Sequence, residues 1–208
     1  MIRKLSILLF AIGFVVFVYN GWNYFQATQS VEKIPEETEA AVVNMDKKDK
    51  RSKKENVSDS SHKDFNPLTL NFDYKKGKKI AILDIPKIDK RFTTYWGTGE
   101  DTLNKGVGMY VSKWTTVPNH ETGHTVLSGH RDTVFIGLDK LEQGDILKVH
   151  YNGETYEYEI TATWITDEDD RTVIVKKDDP TLTLTTCYPF DYIGFAPKRY
   201  IVQAILVE

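Results

Sequence analysis

The distribution of apolar and polar residues divides the chain into three parts. A nearly continuous apolar run with aromatic residues at its far end fills residues 1–25, which matches the roughly 20 residues that cross a bilayer. Residues 26–73 carry many Lys, Glu, Asp and Ser and few bulky apolar side chains, so they cannot bury enough surface to fold. Short alternating runs fill residues 74–208. We therefore predict an N-terminal membrane anchor, a polar flexible stalk and one folded domain.

The residues that flank the apolar run predict its orientation in the membrane. Arg3 and Lys4 precede it, and Trp22, Tyr24 and Phe25 follow it, as in a helix with a cytoplasmic amino terminus and an interfacial aromatic belt. A cleaved signal peptide is the alternative, but bulky groups stand where its small-residue cleavage motif would be. We expect an uncleaved, single-pass anchor in the cell membrane, with the folded domain on the extracellular face.

Short runs rich in β-branched and aromatic residues dominate residues 74–208. In one of them, every second residue from Tyr156 to Trp164 is apolar or aromatic. Only two stretches, around Glu100–Lys105 and Val134–Leu141, favour short helices. Closely spaced strands with turn residues between them predict an all-β fold, either a barrel or a sandwich of mostly antiparallel strands. The predicted strands are Lys79–Ile85, Phe92–Trp96, His124–Ser128, Ile146–Tyr151, Glu154–Ile165, Thr181–Cys187 and Tyr200–Val207.

Charge and cysteine content narrow the function classes. The formal net charge of the 208 residues is −3, so no overall basic field favours nucleic acid as a partner. Cys187 is the only cysteine, and it cannot form an internal disulfide. It is therefore either a small buried apolar side chain or a thiol kept for its reactivity.

The position of Cys187 favours the reactive thiol. It ends the predicted strand TLTLTTC and lies on the face opposite Leu182 and Leu184, which disfavours a plain core cysteine. Pro189 then stops regular pairing, and residues 188–197 are predicted to form a loop. A thiol at the mouth of a loop is accessible to a substrate.

A cysteine nucleophile needs a partner for its proton, and histidine titrates near neutral pH. His130 is the candidate because it follows an apolar strand and precedes a polar turn. His120 and His124 fall in a polar loop and are predicted to be surface residues, and His150 is predicted to be an exposed strand position. Asp132 is a candidate third member of a catalytic triad, in which its carboxylate would orient His130.

Arg199 is the candidate for stabilising the oxyanion that forms when a thiolate attacks an amide carbonyl. Its guanidinium stays charged and presents a planar fork of donors. It directly follows the loop that begins after Cys187, so the two residues can lie on adjacent strands. The alternative is a surface arginine at a strand edge.

Three segments together resemble the signature segments of sortases, the transpeptidases of Gram-positive surfaces. They are LSGHRD at 127–132, TLTTC at 183–187 and KRY at 198–200, and the resemblance covers the folded part and is strongest to class D. It implies an eight-stranded β-barrel with Cys187 as nucleophile, His130 as general acid/base and Arg199 at the oxyanion. Many sortases have a histidine where this chain has Met109, and their loop before the histidine strand often carries Gly and Asn where this chain has Asn119, His120 and His124. Both differences concern the groove and hence substrate preference.

The resemblance also implies the reaction. A sortase is a thiol enzyme that cleaves an LPxTG-like or LPxTA-like sorting signal after Thr through a thioester acyl-enzyme. It then joins the surface protein to an amino acceptor of a cell-wall precursor such as lipid II or peptidoglycan, or to a pilin lysine, with water as the slower, hydrolytic acceptor. We expect no cofactor and no metal.

Three alternatives stay open on the sequence alone. A stalked extracellular β-domain that binds peptide or glycan would leave Cys187 incidental. A metal site built from His120, His124, His130 and Cys187 is conceivable. The acidic run Asp167–Asp170 suggests Ca²⁺ modulation, although a solvated turn is the simpler interpretation.

Overall fold

The computed structural model describes residues 2–29, 31–35, 74–191, 194 and 196–207. Helix α1 spans Ile2–Gln29, four residues beyond the predicted anchor. Within the described residues it is the one helix long and apolar enough to cross a membrane, over Lys4–Trp22. Side chains along this stretch are exposed, which is consistent with a membrane anchor. Most of the predicted stalk lies outside the described residues.

The rest of the described chain is mostly strands. A short helix, α2, spans Glu100–Leu103, and two single 3₁₀ turns span Pro86–Ile88 and Leu138–Lys140. The strands are β1 (Val31–Glu32), β2 (Lys79–Ile85), β3 (Lys90–Trp96), β4 (Val107–Met109), β5 (His124–Ser128), β6 (Ile146–Tyr151), β7 (Glu154–Asp167), β8 (Thr181–Tyr188) and β9 (Lys198–Leu206). All seven predicted strands are present, whereas β1 and β4 were not predicted.

Eight of these strands close into a barrel. Their order is β3-β2-β6-β7-β9-β8-β5-β4, and β4 pairs back onto β3 to complete the ring. The neighbours are antiparallel except for the β3–β4 and β5–β8 pairs, which are parallel. β1 lies outside the ring and adds to the edge of β3. The predicted all-β fold with few short helices is confirmed. Of the two predicted architectures, the structure has the barrel and not the sandwich.

Inward-facing side chains fill the barrel. Leu83, Phe92, Leu147 and Leu184 are completely buried, and truncating such a leucine to alanine costs about 2–5 kcal/mol. Phe92 packs edge-on against Phe135, whose ring comes from the turn after β5, with 5.7 Å between centroids. The core therefore extends beneath the segment that follows β5.

The predicted alternation along β7 holds only for its first half. Tyr156, Tyr158 and Ile160 are buried, but Ala162 is exposed. Pairing with β9 shifts register between Ile160 and Ala162. This β-bulge inserts one extra residue, and no described side chain beyond it in β7 is fully buried. Trp164 is half-buried, whereas Thr163 and Ile165 are exposed.

A buried polar network spans β2, β3 and β6. Arg91 donates from Nε and Nη2 to the two carboxylate oxygens of Asp84, both at 2.7 Å. His150 Nε2 lies 2.8 Å from the same carboxylate and Nδ1 lies 2.8 Å from the hydroxyl of Thr155. Burial favours the neutral acid, but the bonds from Arg91 and His150 outweigh it, and the pKa of Asp84 is lowered. The prediction that His150 is exposed was wrong, because it has a partner 66 residues away in sequence.

Candidate active site

Cys187 and Arg199 face each other across two paired strands. Cys187 is the second-last residue of β8 and Arg199 the second residue of β9, and they are direct partners in the antiparallel ladder. Directly opposed side chains in such a ladder lie close together on one face. Arg199 therefore lies beside Cys187 on the adjacent strand, as the sequence predicts. Cys187 is a half-buried free thiol.

His130 is carried to the same level by the parallel pairing of β5 and β8. Ser128 is the partner of Thr185, so His130 and Cys187 each lie two residues beyond a paired position. Two hydrogen bonds continue this alignment past the end of β5. The amide of Gly129 donates to the carbonyl of Thr185 at 3.2 Å, and the hydroxyl of Thr186 donates to the carbonyl of Gly129 at 2.7 Å.

Close packing at Gly129 fixes the start of the turn that holds His130. A Cβ atom placed on Gly129 would lie 2.8 Å from the ring of Phe135, so only glycine fits there without movement. The amide of Phe135 in turn donates to the carbonyl of His130 at 2.8 Å. Arg131, which is buried, donates to the carbonyl of Gly194 at 2.9 Å and ties this turn to the loop that follows Cys187.

The three candidate side chains line one cleft with a volume of about 420 Å³. Its walls come from β5, β8 and β9, from the end of β7 with the segment after it, and from the region around α2. The lining residues are Thr98, Leu103, Tyr110, Ser128, Gly129, His130, Thr166, Asp167, Glu168, Asp170, Val173, Ile174, Thr185, Thr186, Cys187, Arg199 and Ile201. A cleft of this size accommodates a few residues of an extended peptide.

The guanidinium of Arg199 is held from two sides. Nη1 donates to the carbonyls of Ala196 and Lys198 at 2.9 and 3.0 Å, and Nη2 donates to Glu168 Oε2 at 3.1 Å. Glu168 is fixed in turn, because its amide donates to the carbonyl of Pro197 at 3.0 Å. Three of the five N–H donors of Arg199 are thus occupied, and two have no acceptor among the described residues.

Sequence reasoning missed Glu168. The acidic run Asp167–Asp170 was interpreted as a solvated turn, and this describes Asp170 well, since it accepts hydrogen bonds from Thr166 and Thr172. No signal in the sequence distinguishes Glu168 from its acidic neighbours. The described residues contain no group of three or more His, Cys, Asp or Glu side chains arranged to hold a metal ion.

The other candidate residues lie apart from this arrangement. His120 is exposed beside Glu154 and Tyr156, as predicted for a surface histidine. The same prediction for His124 was wrong, because His124 is completely buried between the Val175 carbonyl at 2.9 Å and the Thr183 hydroxyl at 2.7 Å. Asp132 is exposed and, within the described chain, forms no hydrogen bond with His130. The structure therefore gives no support to Asp132 as the residue that orients His130.

Comparison with known proteins places this chain in a family. The sortase domain model matches residues 83–207. The chain is 36% identical over 201 residues to Sortase D of Bacillus subtilis (strain 168), covering 96% of each chain.

Two solved structures are also similar. The catalytic domain of B. anthracis SrtD is 54% identical, with a TM-score of 0.58 over 72% of this chain and 97% of that one. Sortase C of Clostridium perfringens, solved with the C-terminal cell wall sorting motif, is 28% identical, with a TM-score of 0.59 over 65% of this chain and 74% of that one. The match to the family model and the likeness to Sortase D show that the chain belongs to the sortase family of cysteine transpeptidases.

Proposed function

We propose that this chain is a membrane-anchored sortase that cleaves an LPxTG-like or LPxTA-like sorting signal after its Thr and transfers the acyl group to an amine. The observation that carries the proposal is the alignment of Cys187 on β8 and Arg199 on β9 with His130 just after the end of β5. In the proposed topology the barrel lies on the extracellular face, where surface proteins and wall precursors meet.

In the first half-reaction, the Cys187 thiolate attacks the carbonyl carbon of the Thr and forms a tetrahedral intermediate. The two remaining donors of Arg199 stabilise the negative oxygen. Protonated His130 gives its proton to the leaving nitrogen as the C–N bond breaks, and a thioester joins the substrate to Cys187.

In the second half-reaction, an amine attacks the thioester carbonyl. Neutral His130 takes the proton from the attacking nitrogen, the C–S bond breaks, and the Cys187 thiolate is restored. A cell-wall precursor such as lipid II or a pilin lysine supplies the amine, and water produces slow hydrolysis instead. Membrane tethering of both enzyme and substrate raises their effective concentration.

The test uses the full chain in detergent with LPxTG and LPxTA peptides and an added amine. Wild-type protein is expected to form the amide product, and Cys187→Ala, His130→Ala and Arg199→Ala are each expected to lose at least about a hundredfold in kcat/KM. His120→Ala and Arg171→Ala, both at exposed positions, serve as matched controls. Turnover that survives Cys187→Ala or alkylation of the thiol would overturn the proposed mechanism. Peptide binding by the wild-type protein with no turnover would favour a peptide-binding domain instead.

A further inference from the structure

The segment between β7 and β8 forms one wall of the cleft. Val173 and Ile174 line the cleft together with Cys187 and Arg199. Residues 173–176, which we call the wall segment, contain no helix or strand. A segment without a ladder of backbone hydrogen bonds is held in place only by its individual contacts. The position of this wall therefore depends on what the wall segment touches.

One side chain from β5 holds the wall segment. His124 is the first residue of β5 and is completely buried, and its Nδ1 lies 2.9 Å from the carbonyl oxygen of Val175. Among the residues that the structure describes, this is the only hydrogen bond formed by residues 173–176. Ile174, which lines the cleft, directly precedes Val175. A displacement of the Val175 carbonyl therefore displaces the wall.

The two partners of His124 determine which ring nitrogen carries the hydrogen. A carbonyl oxygen only accepts, so Nδ1 donates to Val175. Nε2 is then the acceptor, and it lies 2.7 Å from the hydroxyl of Thr183, which donates to it. Burial lowers the pKa of His124 and keeps the ring neutral near pH 7. The neutral ring thus has both nitrogens satisfied and bridges β8 to the wall segment.

The residues before His124 are themselves bound to the chain that leads into β8. The hydroxyl of Thr122 donates to the carbonyl of Lys177 at 3.2 Å, and the amide of Thr181 donates to the carbonyl of Gly123 at 2.9 Å. Gly123 has a φ of 109°, a conformation that favours glycine. The backbone that carries His124 is therefore fixed on both sides of the ring, whereas the wall segment is held through the ring alone.

We propose that His124 is a positioning residue for substrate recognition, which holds Val173 and Ile174 in place as the wall against which the bound peptide packs. It acts through its bond to the Val175 carbonyl and does not touch the reacting atoms. Contacts between the wall and the peptide exist in the ground state and in the transition state alike, so their loss should raise KM and leave kcat nearly unchanged. The inference rests on the proposed function, because it concerns the same cleft.

Two substitutions separate the two hydrogen bonds of His124. The amide of Asn lies near the position of Nδ1, so His124→Asn keeps a donor for Val175 and loses the bond to Thr183. The amide of Gln reaches the position of Nε2 instead, so His124→Gln keeps a partner for Thr183 and loses the donor to Val175. Both variants remove the ring and neither titrates near neutral pH, so the comparison isolates the bond to the wall segment.

The kinetic test uses the full chain in detergent with LPxTG and LPxTA peptides. His124→Gln is expected to raise KM at least about tenfold and to change kcat less than about threefold, whereas His124→Asn should stay within about threefold of wild type in both constants. His120→Gln, at an exposed position in the preceding loop, is the matched control. An unchanged KM in His124→Gln, or equal increases in the Asn and Gln variants, would overturn the proposal.

Limited proteolysis tests the contact without a substrate. Trypsin cleaves after Lys176, the exposed last residue of the wall segment. Cleavage there, mapped by mass spectrometry, is expected to be at least about threefold faster in His124→Gln than in wild type or His124→Asn, because local opening exposes the backbone. Cleavage after Lys140, in the turn at 138–140, should be equal in all three proteins and reports on global unfolding.

The two experiments distinguish a failure of this inference from a failure of the proposed function. Equal cleavage after Lys176 in wild type and His124→Gln would overturn the inference, whatever the peptide assay shows. Wild-type protein that turns over no peptide would overturn the proposed function, and the proteolysis would still decide whether His124 holds the wall segment.

Discussion

Glu168 Oε2 lies 3.1 Å from Nη2 of Arg199, so the guanidinium proposed to stabilise the oxyanion is held by a carboxylate before any substrate arrives. Both side chains are partly exposed, at 30% for Arg199 and 40% for Glu168. Such a pair contributes at most about 1 kcal/mol to stability. Its effect should therefore appear in catalysis, through the placement of Arg199, rather than in folding.

Glu168→Ala is expected to lower kcat about tenfold with a smaller change in KM, because the remaining bonds to Ala196 and Lys198 hold only Nη1 and the fork can rotate. Glu168→Gln keeps an acceptor and should recover part of the loss. Asp169→Ala, one position along the same exposed segment, is the matched control. An increase in kcat for Glu168→Ala would show that the carboxylate competes with the substrate for Arg199.

Thr186→Val should destabilise the protein and disturb the site together. The change removes the hydroxyl that donates to the carbonyl of Gly129 at 2.7 Å and leaves a buried acceptor unpaired, at a cost of about 1–3 kcal/mol. Urea unfolding of the full chain measures the cost, and Thr186→Ser should restore most of it. Thr163→Val on the exposed part of β7 is the control and should change little.

Gly129→Ala should reduce kcat/KM strongly while most of the barrel persists. The added methyl would meet two ring carbons of Phe135 at 2.8 and 2.9 Å, so the turn that begins with His130 has to move. Gly129→Ala combined with Phe135→Leu should recover part of the activity by making room. Gly99→Ala, where a Cβ meets nothing within 4 Å, is the control. Full activity in Gly129→Ala would mean that the position of this turn is unimportant.

Stability should fall as the pH drops below about 6.5, the ordinary pKa of histidine. Burial lowers the pKa of His124, against the opposing effect of its bond to the Val175 carbonyl. The unfolded chain therefore takes up a proton in a range where the folded protein does not, and each pH unit lost there costs up to about 1.4 kcal/mol. His124→Gln, which does not titrate, should flatten this dependence, measured by urea unfolding from pH 5 to 7.5, and His120→Gln should leave it unchanged.

Sequence patterns predicted those parts of the fold that depend on local alternation. The seven strands found from the sequence each contain a clear apolar face. In contrast, β4 is only three residues long, with Gly106 before it and Gly108 inside it, and β1 lies in a polar segment. The β7 bulge could not be predicted because it depends on pairing with β9.

The side chains of the site were likewise predictable where their placement depends on local sequence, and not where it depends on distant partners. Cys187, His130 and Arg199 were identified because strand ends and their order along the chain are visible in the sequence. The burial of His124 and the contact between Glu168 and Arg199 were not, because each depends on partners at least 31 residues away.

Intact-mass spectrometry of the full chain, mixed with an LPxTG or LPxTA peptide and quenched within seconds, tests the central claim most directly. Wild-type protein should gain the mass of the peptide acyl group, and fragmentation should place it on Cys187. The adduct should disappear when an amine is added. A folded chain whose Cys187 reacts with a small alkylating agent, yet forms no adduct with any peptide of the panel, would contradict the account.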